Sequence, residues 1–379
     1  MSAHSIVRVE ARALRVEVDF SWIGVNRKRV NPMCYVEVET SGGVVGHGLT
    51  HLGQGSVAAH IINDVAAPAL IGSDALANEK IWHMLYWTLT SSGQSGFACN
   101  AISAIDLAIW DIKGKVAGMP VWKLIGGARD RLDAYVTLGV PNLDRDQLMA
   151  IGKRVVEMGF RTVKMQVGRP GLDRRQSQKP LADIIDEDVS RVAALRKAIG
   201  DDVKIAIDGA CRLDLMHAAD LARRVEPLGI AFFEEPLMQN DVLLMAELRR
   251  KTSIPLAAGQ GEGQAYRFRD MLLHNAVDAV QPNVLVAGGF TQSVRIAAMA
   301  AAFNVPITNG GGSPYHNMHL QAGAMNGTDF EYQLNSARGG EMIYDGLPET
   351  KNGMLILTDA PGLGFEPKPG VIDELSRSK

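Results

Sequence analysis

Three side chains that can offer oxygen to a metal ion recur at equal spacing along the chain. Asp208 lies in "IAIDGA", Glu234 in "AFFEEP" and Gln260 at the end of "IPLAAGQ", with 26 residues from each to the next. If the apolar stretches are strands of one parallel barrel, their carboxyl ends meet at one mouth, where barrel enzymes hold their active sites. Carboxylate and amide oxygens suit Mg²⁺. The spacing therefore predicts a magnesium site in which an amide takes the third position.

Polar side chains occupy the same end of other strand candidates. They are Lys164 and Gln166 in "RTVKMQV", Asn283 in "AVDAVQPN", Asn309 in "VPITNG" and Glu331 in "DFEYQL". We expect them to line the mouth that holds the metal site. Buried acids also cap loops without binding metal, but two acids at consecutive strand ends favour a metal site. Glu262, two residues beyond Gln260, stays open as an alternative third ligand.

From about residue 132 the strand candidates alternate with amphipathic runs. There are eight: "LDAYVTLG", "RTVKMQV", "VKIAID", "IAFFEE", "IPLAAG", "AVDAVQP", "VPITNG" and "DFEYQL". This alternation favours a parallel barrel over an open sheet, and the last unit is short, which predicts a (β/α)7β-type TIM barrel. The long polar segment "GRPGLDRRQSQKPLADIID" after the second strand is typical of a functional loop.

The first part of the chain has a different pattern. "VRVEARALRVEVDF" and "MCYVEVET" alternate as strands, with "SGGVVGHG" as a turn. Apolar residues from Ile102 to Val116 then step by three or four along one helix face, and Gly118 and Pro120 end that helix. This combination predicts an α+β domain.

We therefore expect an α/β protein in three parts. Residues 1–130 form an α+β capping domain, and residues 131–346 form the barrel with the active site. The strand-like tail "GMLILTDAPGLGFEP" lies in a C-terminal segment, 347–379, that returns to complete the capping domain.

The composition limits the class of partner. The 379 residues are 46% hydrophobic with a net charge of −3, so a large core is available and nothing steers the chain toward nucleic acid or anionic lipid. No apolar stretch reaches the roughly 18 residues of a membrane span, and the N-terminus lacks a signal-peptide pattern. Three scattered cysteines fit a reducing compartment. We expect a cytoplasmic protein, and a homo-oligomer because large barrel faces commonly pair.

Several motifs carry a resemblance to a known family. They are "SAIDLAIWDIKGKVAGMPVWKLIGG", "VKMQ", "FFEEP", "PLAAG", "QPNVLVAGGF" and "PGLGFE". In this order they resemble the enolase superfamily, most closely its mandelate racemase/muconate lactonizing enzyme and acid-sugar dehydratase branch. The resemblance implies a small carboxylate substrate bound to Mg²⁺, from which a base removes the α-proton to give an enediolate.

The sequence departs from this branch at the proton-transfer positions. The family pattern on strand two is Lys-x-Lys, and here Lys164 is followed by Gln166. Asn283 stands for the strand-six Asp, Asn309 for the strand-seven His, and Gln260 for the third ligand Glu. Amides keep hydrogen bonding but cannot titrate near neutral pH. We expect a polar site without its usual pair of bases and with weaker Mg²⁺ affinity, because the ligand charge falls from −3 to −2.

Other residues could supply the missing chemistry. Lys164 is the first candidate base, on the expectation that burial beside a metal lowers its pKa. His316, in the loop or helix after strand seven, is the second, whereas His319 fits helix packing better than catalysis, and Tyr315 could act as an acid. The resemblance makes Glu331 a hydrogen-bond donor to the substrate carboxylate.

Two cap loops are expected to contact substrate. His51 lies in "LTHLGQGS", and Arg29 lies in the basic cluster of "GVNRKRVNP". In this family such loops close over the substrate, so their side chains set specificity. Gln166 and Asn283 join them as predicted substrate-binding residues, and Lys164, Glu331, Asn309 and His316 form the candidate catalytic set.

The leading hypothesis is a Mg²⁺-assisted dehydratase of a hydroxylated carboxylate such as an acid sugar. An epimerase or cycloisomerase of the same superfamily is the alternative among enzymes. A carboxylate-binding protein that has lost catalysis is the alternative outside them, because four amides replace titrating groups. The sequence does not name the substrate.

Overall fold

The computed structural model describes residues 2–51, 55–90, 94–138, 143–169, 172 and 179–377. The chain begins with an antiparallel sheet of three strands. Their order is β1-β2-β3, and they span Ile6–Asp19 (β1), Lys28–Thr40 (β2) and Val45–Thr50 (β3). The predicted turn "SGGVVGHG" is shorter than expected, because Val45 already pairs with Glu39 as part of β3.

Five helices follow and pack on this sheet. They are Gly55–Ile61 (α1), Ala67–Leu70 (α2), Asn78–Leu85 (α3), Phe97–Ala117 (α4) and Val121–Ile125 (α5), with π-helical turns at Ile62–Ala66 and Tyr86–Thr90. The predicted helix over 102–116 is confirmed as α4. It ends at Gly118 with φ 64°, a left-handed conformation that glycine adopts without strain.

Helix α4 joins the N-terminal part to the barrel through one buried acid. Asp106 Oδ2 accepts the backbone N–H of Thr291 at 2.9 Å, and Asp106 Oδ1 accepts the Thr291 hydroxyl at 2.6 Å. Burial raises the pKa of Asp106 to about 7, against these hydrogen bonds. The acid therefore fixes the packing between the two parts of the chain.

Seven strands form the parallel wall of the barrel, in the order β10-β4-β5-β6-β7-β8-β9. They span Arg131–Thr137 (β4), Thr162–Gln166 (β5), Lys204–Asp208 (β6), Ile230–Glu234 (β7), Leu256–Ala258 (β8), Ala279–Val280 (β9) and Phe330–Gln333 (β10). The intervening helices are Arg145–Glu157 (α6), Leu181–Ile199 (α7), Leu215–Val225 (α8), Val242–Arg249 (α9), Gln264–Leu273 (α10), Gly289–Ala302 (α11) and Pro314–Gly323 (α12). Apolar side chains of both layers form one buried core.

The stretch "VPITNG" contributes less strand than the sequence predicts. Only Ile307 bridges Val280 on one side and Gly327 on the other. Pro306 has no N–H to donate, and the backbone N–H of Glu331 goes to the Asn309 side chain at 2.8 Å instead of to a ladder carbonyl. A side chain therefore replaces ladder pairing where this stretch meets β10.

The C-terminal residues divide between the barrel and the N-terminal sheet. Strands Thr350–Lys351 (β12) and Met354–Ile356 (β13) form a hairpin, and β13 pairs antiparallel with β4. Helix Leu334–Ile343 (α13) precedes them, strand Tyr344–Asp345 (β11) pairs with Glu366–Pro367 (β14), and Val371–Arg377 (α14) follows. The first half of the strand-like tail therefore belongs to the barrel.

The second half of the tail reaches the N-terminal part through buried polar groups. Asp111 in α4 accepts the backbone N–H of Leu363 at 2.8 Å, and His47 Nε2 donates to the carbonyl of Phe365 at 2.8 Å. Lys115 bridges Asp111 at 2.9 Å and Glu366 at 2.5 Å. These contacts fasten the tail to α4 and β3. Within the described residues, no helix is both long and apolar enough to cross a membrane.

Candidate metal and substrate site

Strand register brings the predicted ligands together at the carboxyl ends of the barrel strands. Gln166 pairs with Asp208, and Asp208 pairs with Glu234, so the three side chains sit on consecutive strands at one level. Gln260 follows β8, the next strand, by two residues. Lys164 is two residues before Gln166 and therefore points into the barrel on the same face, one level deeper.

Lys164 holds two carboxylates together at the centre of the barrel. Its Nζ lies 2.5 Å from Glu234 Oε1 and 3.0 Å from Glu331 Oε1, and all three side chains are buried. Its ammonium also lies 5.2 Å from the centre of the Tyr135 ring. Burial acts to lower the pKa of Lys164, but the two carboxylates outweigh burial and raise it well above its usual value. The lowering of the Lys164 pKa was expected beside a bound metal ion and stays a prediction, although the two ion pairs act in the opposite direction.

Glu331 is positioned by backbone and side-chain donors. Thr137 Oγ1 donates to its Oε1 at 2.5 Å, and the N–H of Gly312 donates to its Oε2 at 2.7 Å. Both oxygens are therefore occupied by donors from neighbouring strands and the loop after Asn309. Glu331 therefore lies beside Lys164 at the mouth, and its predicted role as a hydrogen-bond donor to the substrate stays a prediction.

The two acidic ligand candidates, Asp208 and Glu234, are buried carboxyl groups. Glu234 Oε2 accepts Gln281 Nε2 at 2.7 Å, and Asp208 Oδ1 accepts the N–H of Ala210 at 2.8 Å. Burial raises the pKa of both carboxyls, although Lys164 acts to lower each pKa. Two buried carboxylates on adjacent strands, with an amide oxygen on the third, form a donor set that fits Mg²⁺. Asp208, Glu234 and Gln260 are thus the residues that could hold it.

The alternative third ligand, Glu262, is engaged elsewhere. Its Oε2 accepts Arg267 Nε at 3.0 Å, and its Oε1 accepts Asn240 Nδ2 at 3.1 Å. Gln260 instead donates its Nε2 to Glu235 Oε2 at 2.9 Å. Gln260 is therefore the better placed of the two to offer an oxygen to the mouth.

The amides at strands six and seven have fixed orientations. Asn309 Oδ1 accepts the N–H of Glu331 at 2.8 Å. Asn283 Oδ1 accepts the N–H of Leu285 and Asn317 Nδ2, each at 3.1 Å. In both residues the oxygen is used and the buried Nδ2 lacks a hydrogen-bond acceptor among the described residues. Each position therefore presents a donor where the family pattern has a titrating side chain.

The glycine run after Asn309 lets the loop lie directly on these amides. A Cβ at Gly311, where φ is +82°, would come within 2.6 Å of Asn283 Nδ2, and one at Gly310 would come within 2.9 Å of Gln281 Nε2. Glycine is required there for close approach.

A cavity of about 170 Å³ lies between the N-terminal sheet and the barrel mouth. Arg29 and His51 line it from one side, and Gly311 lines it from the other. Arg29 was expected in a cap loop but lies in β2, where it pairs with Val18 of β1. Burial lowers the pKa of His51 to about 4 and that of Arg29 below its usual value. His51 is therefore neutral at pH 7 and fits a hydrogen-bonding role better than a charged one.

The same cavity contains a reciprocal amide pair. Asn31 Nδ2 donates to Asn335 Oδ1 at 3.0 Å, and Asn335 Nδ2 donates to Asn31 Oδ1 at 2.8 Å. Both side chains are buried, so this pair joins β2 to the start of α13 at the edge of the cavity. The remaining predicted substrate contact, Gln166, is partly exposed, and its Oε1 has no described hydrogen-bond partner.

His316 and its neighbours lie inside helix α12 and not in an open loop. The His316 ring packs against Tyr344 and Phe365 at 5.8 and 5.2 Å between ring centres, and burial lowers its pKa well below the usual value. His319 Nε2 donates to the carbonyl of Leu363 at 3.1 Å, which is the packing role expected. Tyr315 is buried, and burial raises its pKa. Catalysis by His316 stays a prediction, and these contacts favour a structural role.

Sequence reasoning missed several residues of the mouth. Glu235, the second acid of "FFEEP", contacts Gln260, and Gln281 contacts Glu234. Tyr135 donates to the carbonyl of Asn309, and the charge of Arg169 acts to lower the pKa of Asp208. The sequence placed each of them in or just after a strand, but it did not show which way each side chain points.

A capped (β/α) barrel with two acids, a lysine and a third acid at its mouth defines an enolase-like class of protein. Comparison with family models places the chain within that class. Residues 6–126 match the mandelate racemase/muconate lactonizing enzyme N-terminal domain, and residues 147–371 match the enolase C-terminal domain-like family. The chain belongs to this family.

Relatives within the family include dehydratases and cycloisomerases. An arabinonate dehydratase of Saccharolobus solfataricus is 33% identical over 345 residues, 89% of each chain. A 3,6-anhydro-alpha-L-galactonate cycloisomerase of Streptomyces coelicolor is 33% identical over 282 residues, 73% of each chain. The structure of L-talarate dehydratase from Polaromonas sp. JS666, complexed with Mg and L-glucarate, has a TM-score of 0.85 at 28% identity and covers 99% of this chain and 98% of its own.

Proposed function

We propose that the protein is a Mg²⁺-assisted dehydratase of a hydroxylated carboxylate such as an acid sugar, acting through an enediolate. The observation that carries the proposal is Lys164, buried between Glu234 and Glu331 and next to the Asp208–Glu234 strand pair. A buried lysine among carboxylates is costly to keep without a use. Relatives that dehydrate sugar acids support the reaction class.

Asp208, Glu234 and Gln260 would hold the metal ion. Bound Mg²⁺ supplies a Lewis acid that makes the proton beside a carboxylate more acidic. The remaining chemistry depends on this chain's own groups. Because of its ion pairs, Lys164 must first release a proton, and Glu331 Oε1, 3.0 Å from Nζ, is placed to accept it.

Because amides stand at Asn283 and Asn309, the reaction uses Lys164 as its single base, and water is eliminated on one face of the substrate. Neutral Lys164 takes the α-proton, and the C–H electron pair forms the enediolate. The same ammonium then returns its proton to the β-hydroxyl, which leaves as water as the electrons shift to form the enol. Tautomerisation gives a 2-keto acid. A second base on the opposite face is not needed, in keeping with the donor-only amides at Asn283 and Asn309.

The donor groups and the cavity support a polyhydroxy substrate. The free Nδ2 groups of Asn283 and Asn309 suit oxygen acceptors such as carboxylate or hydroxyl oxygen. Further hydrogen-bonding groups line the cavity above the barrel mouth, from Arg29, His51 and the Asn31–Asn335 pair. A chain of hydroxyl groups matches this lining better than an apolar substituent.

Two alternatives each have an observation in their favour. The similarity to a cycloisomerase supports a one-base ring opening, which needs the same Lys164 chemistry. The raised pKa of Lys164 and the amides at Gln166, Asn283 and Asn309 support a protein that binds a carboxylate without turnover.

The test is a screen of sugar acids with Mg²⁺, detecting 2-keto acid products, with parallel NMR in D₂O for exchange of the α-proton. The proposal expects a keto product from at least one acid and its loss in Lys164→Met. Product without water loss indicates cycloisomerisation. Tight binding with neither product nor exchange across the library would contradict an enzyme and indicate a binding protein.

A further inference from the structure

Glu235 is a buried carboxylate that the proposed reaction does not use, and it is surrounded by donors. Its Oε1 accepts Asn240 Nδ2 at 2.9 Å and the N–H of Gly259 at 3.2 Å. Its Oε2 accepts Gln260 Nε2 at 2.9 Å and Cys211 Sγ at 3.6 Å. All four neighbours donate, so the group acts as an acceptor on every side.

An unusual backbone conformation sets the direction of the Glu235 side chain. Glu235 has φ of 39°, in the left-handed region that side chains other than glycine seldom adopt, and its N–H is bonded to the carbonyl of Ala257. The turn lets two consecutive acids serve one mouth, with Glu234 facing Lys164 and Glu235 facing Gln260. Backbone strain of this kind persists where the surroundings demand it.

An acceptor at Glu235 leaves the Gln260 amide one favourable orientation. The nitrogen must face Glu235, because an amide oxygen there would meet a carboxylate oxygen. The amide oxygen therefore faces away, toward the glycine loop, where a Cβ at Gly310 would lie 3.1 Å from it. Glu235 is buried, whereas Gln260 is partly exposed to the mouth.

We propose that Glu235 is a positioning residue that turns the amide oxygen of Gln260 toward the metal site. This deepens the proposed function and rests on it only in taking Mg²⁺ as the ion bound. This role of Glu235 explains how an amide can serve as metal ligand at a position where the family pattern has a carboxylate. It also implies that Gln260 and Glu235 form a pair in which one member must be an amide.

The pair makes a specific prediction about restoring the carboxylate. Gln260→Glu alone would set two carboxylates at the 2.9 Å contact, so one of them must turn away or take up a proton. Adding Glu235→Gln restores an N–H donor between the two positions. The double variant therefore exchanges amide and carboxylate while keeping the hydrogen bond.

The test is a double-mutant cycle read by Mg²⁺ calorimetry on chelator-treated protein. We expect the double variant to bind Mg²⁺ roughly tenfold or more tightly than the product of the two single effects predicts, as coupled neighbours do. Glu235→Gln alone should weaken binding by roughly tenfold or more, the fold-change that corresponds to one hydrogen bond to a charged group. Glu247→Gln is the matched control, since its half-exposed carboxylate pairs with Lys251 and shares no described partner with Glu235 or Gln260, and it should leave the affinity within about twofold, as for independent sites.

Thermal unfolding without metal gives a second measure. Gln260→Glu should lower the melting temperature, and Glu235→Gln should restore part of the loss in the double variant. Additive effects in both measurements overturn the inference. If no variant binds Mg²⁺, there is no metal site for Gln260 to serve and the inference is overturned. Coupling in a protein without turnover keeps the inference and rejects the proposed dehydratase.

Discussion

Removing the charge of Lys164 tests the core of the site without reference to any substrate. Lys164→Met keeps a similar volume but leaves Glu234 and Glu331 buried without their common counter-ion. Each ion pair, at 2.5 and 3.0 Å, corresponds to a gross attraction of about 6 kcal/mol at an effective dielectric constant near 20. The cost of burying the ammonium cancels much of this attraction. Removing one partner of a buried pair costs about 3–5 kcal/mol, and we expect the upper half of that range because two carboxylates are affected.

The assay is urea denaturation of metal-free wild type and variant, repeated with Mg²⁺ and at low pH. The loss in free energy of unfolding should shrink with Mg²⁺, which can neutralise Glu234, and at low pH, where Glu234, whose pKa burial raises, takes up a proton. Lys251→Met is the control, because its pair with Glu247 at 3.3 Å is about half exposed and contributes under about 1 kcal/mol. A loss no larger than that of the control would refute the interpretation of Lys164 as the counter-ion of the site.

Three further outcomes follow from described contacts. The pKa of Asp106 is about 7 in the folded protein and 3.8 in the unfolded chain, so the folded protein holds this proton more tightly. The proton therefore stabilises the fold at low pH, and this stabilisation is lost as pH rises from about 4 to about 7. In Asp106→Asn the free energy of unfolding, measured by urea denaturation, should decrease less over this pH range, by a difference of at most about 4 kcal/mol. Gly311→Ala should cost about 1–3 kcal/mol of stability in a denaturation curve through backbone strain and contact with Asn283, whereas Gly261→Ala, with open space around its Cβ, should be near neutral. Asn335→Ala leaves a buried amide without its partner and should lower stability by about 1–3 kcal/mol, with weaker binding of any sugar acid that the screen identifies.

Patterns that depend on spacing were readable from the sequence. Period-two and period-3.6 spacing predicted β1, β2 and α4, and the alternation of strands and helices predicted the barrel. Equal intervals placed Asp208 and Glu234 on neighbouring strands, where register confirms them. Such inferences succeed because parallel strands share one carboxyl end.

Orientation and charge balance were not readable. The Lys164 pKa depends on two carboxylates 70 and 167 residues further along the chain, and the sequence does not give their distances. His316 was expected in the loop or helix after strand seven and lies in the helix, but the sequence did not show that its ring is buried against Phe365, a residue of the tail. The role of Glu235 depends on one left-handed backbone angle, and the sequence does not predict such an angle at a residue other than glycine.

The tail contacts have a consequence for biosynthesis. Asp111 and His47 receive their partners from Leu363 and Phe365, which follow them by 252 and 318 residues. On the ribosome, α4 and β3 emerge long before those partners are made. Until then Asp111 keeps its donors from Lys115 and His47 but lacks the one from Leu363, the buried His47 imidazole lacks an acceptor, and both deficits cost stability. The N-terminal part therefore reaches its final structure only after the whole barrel has been translated, so the first domain made is the last to be completed.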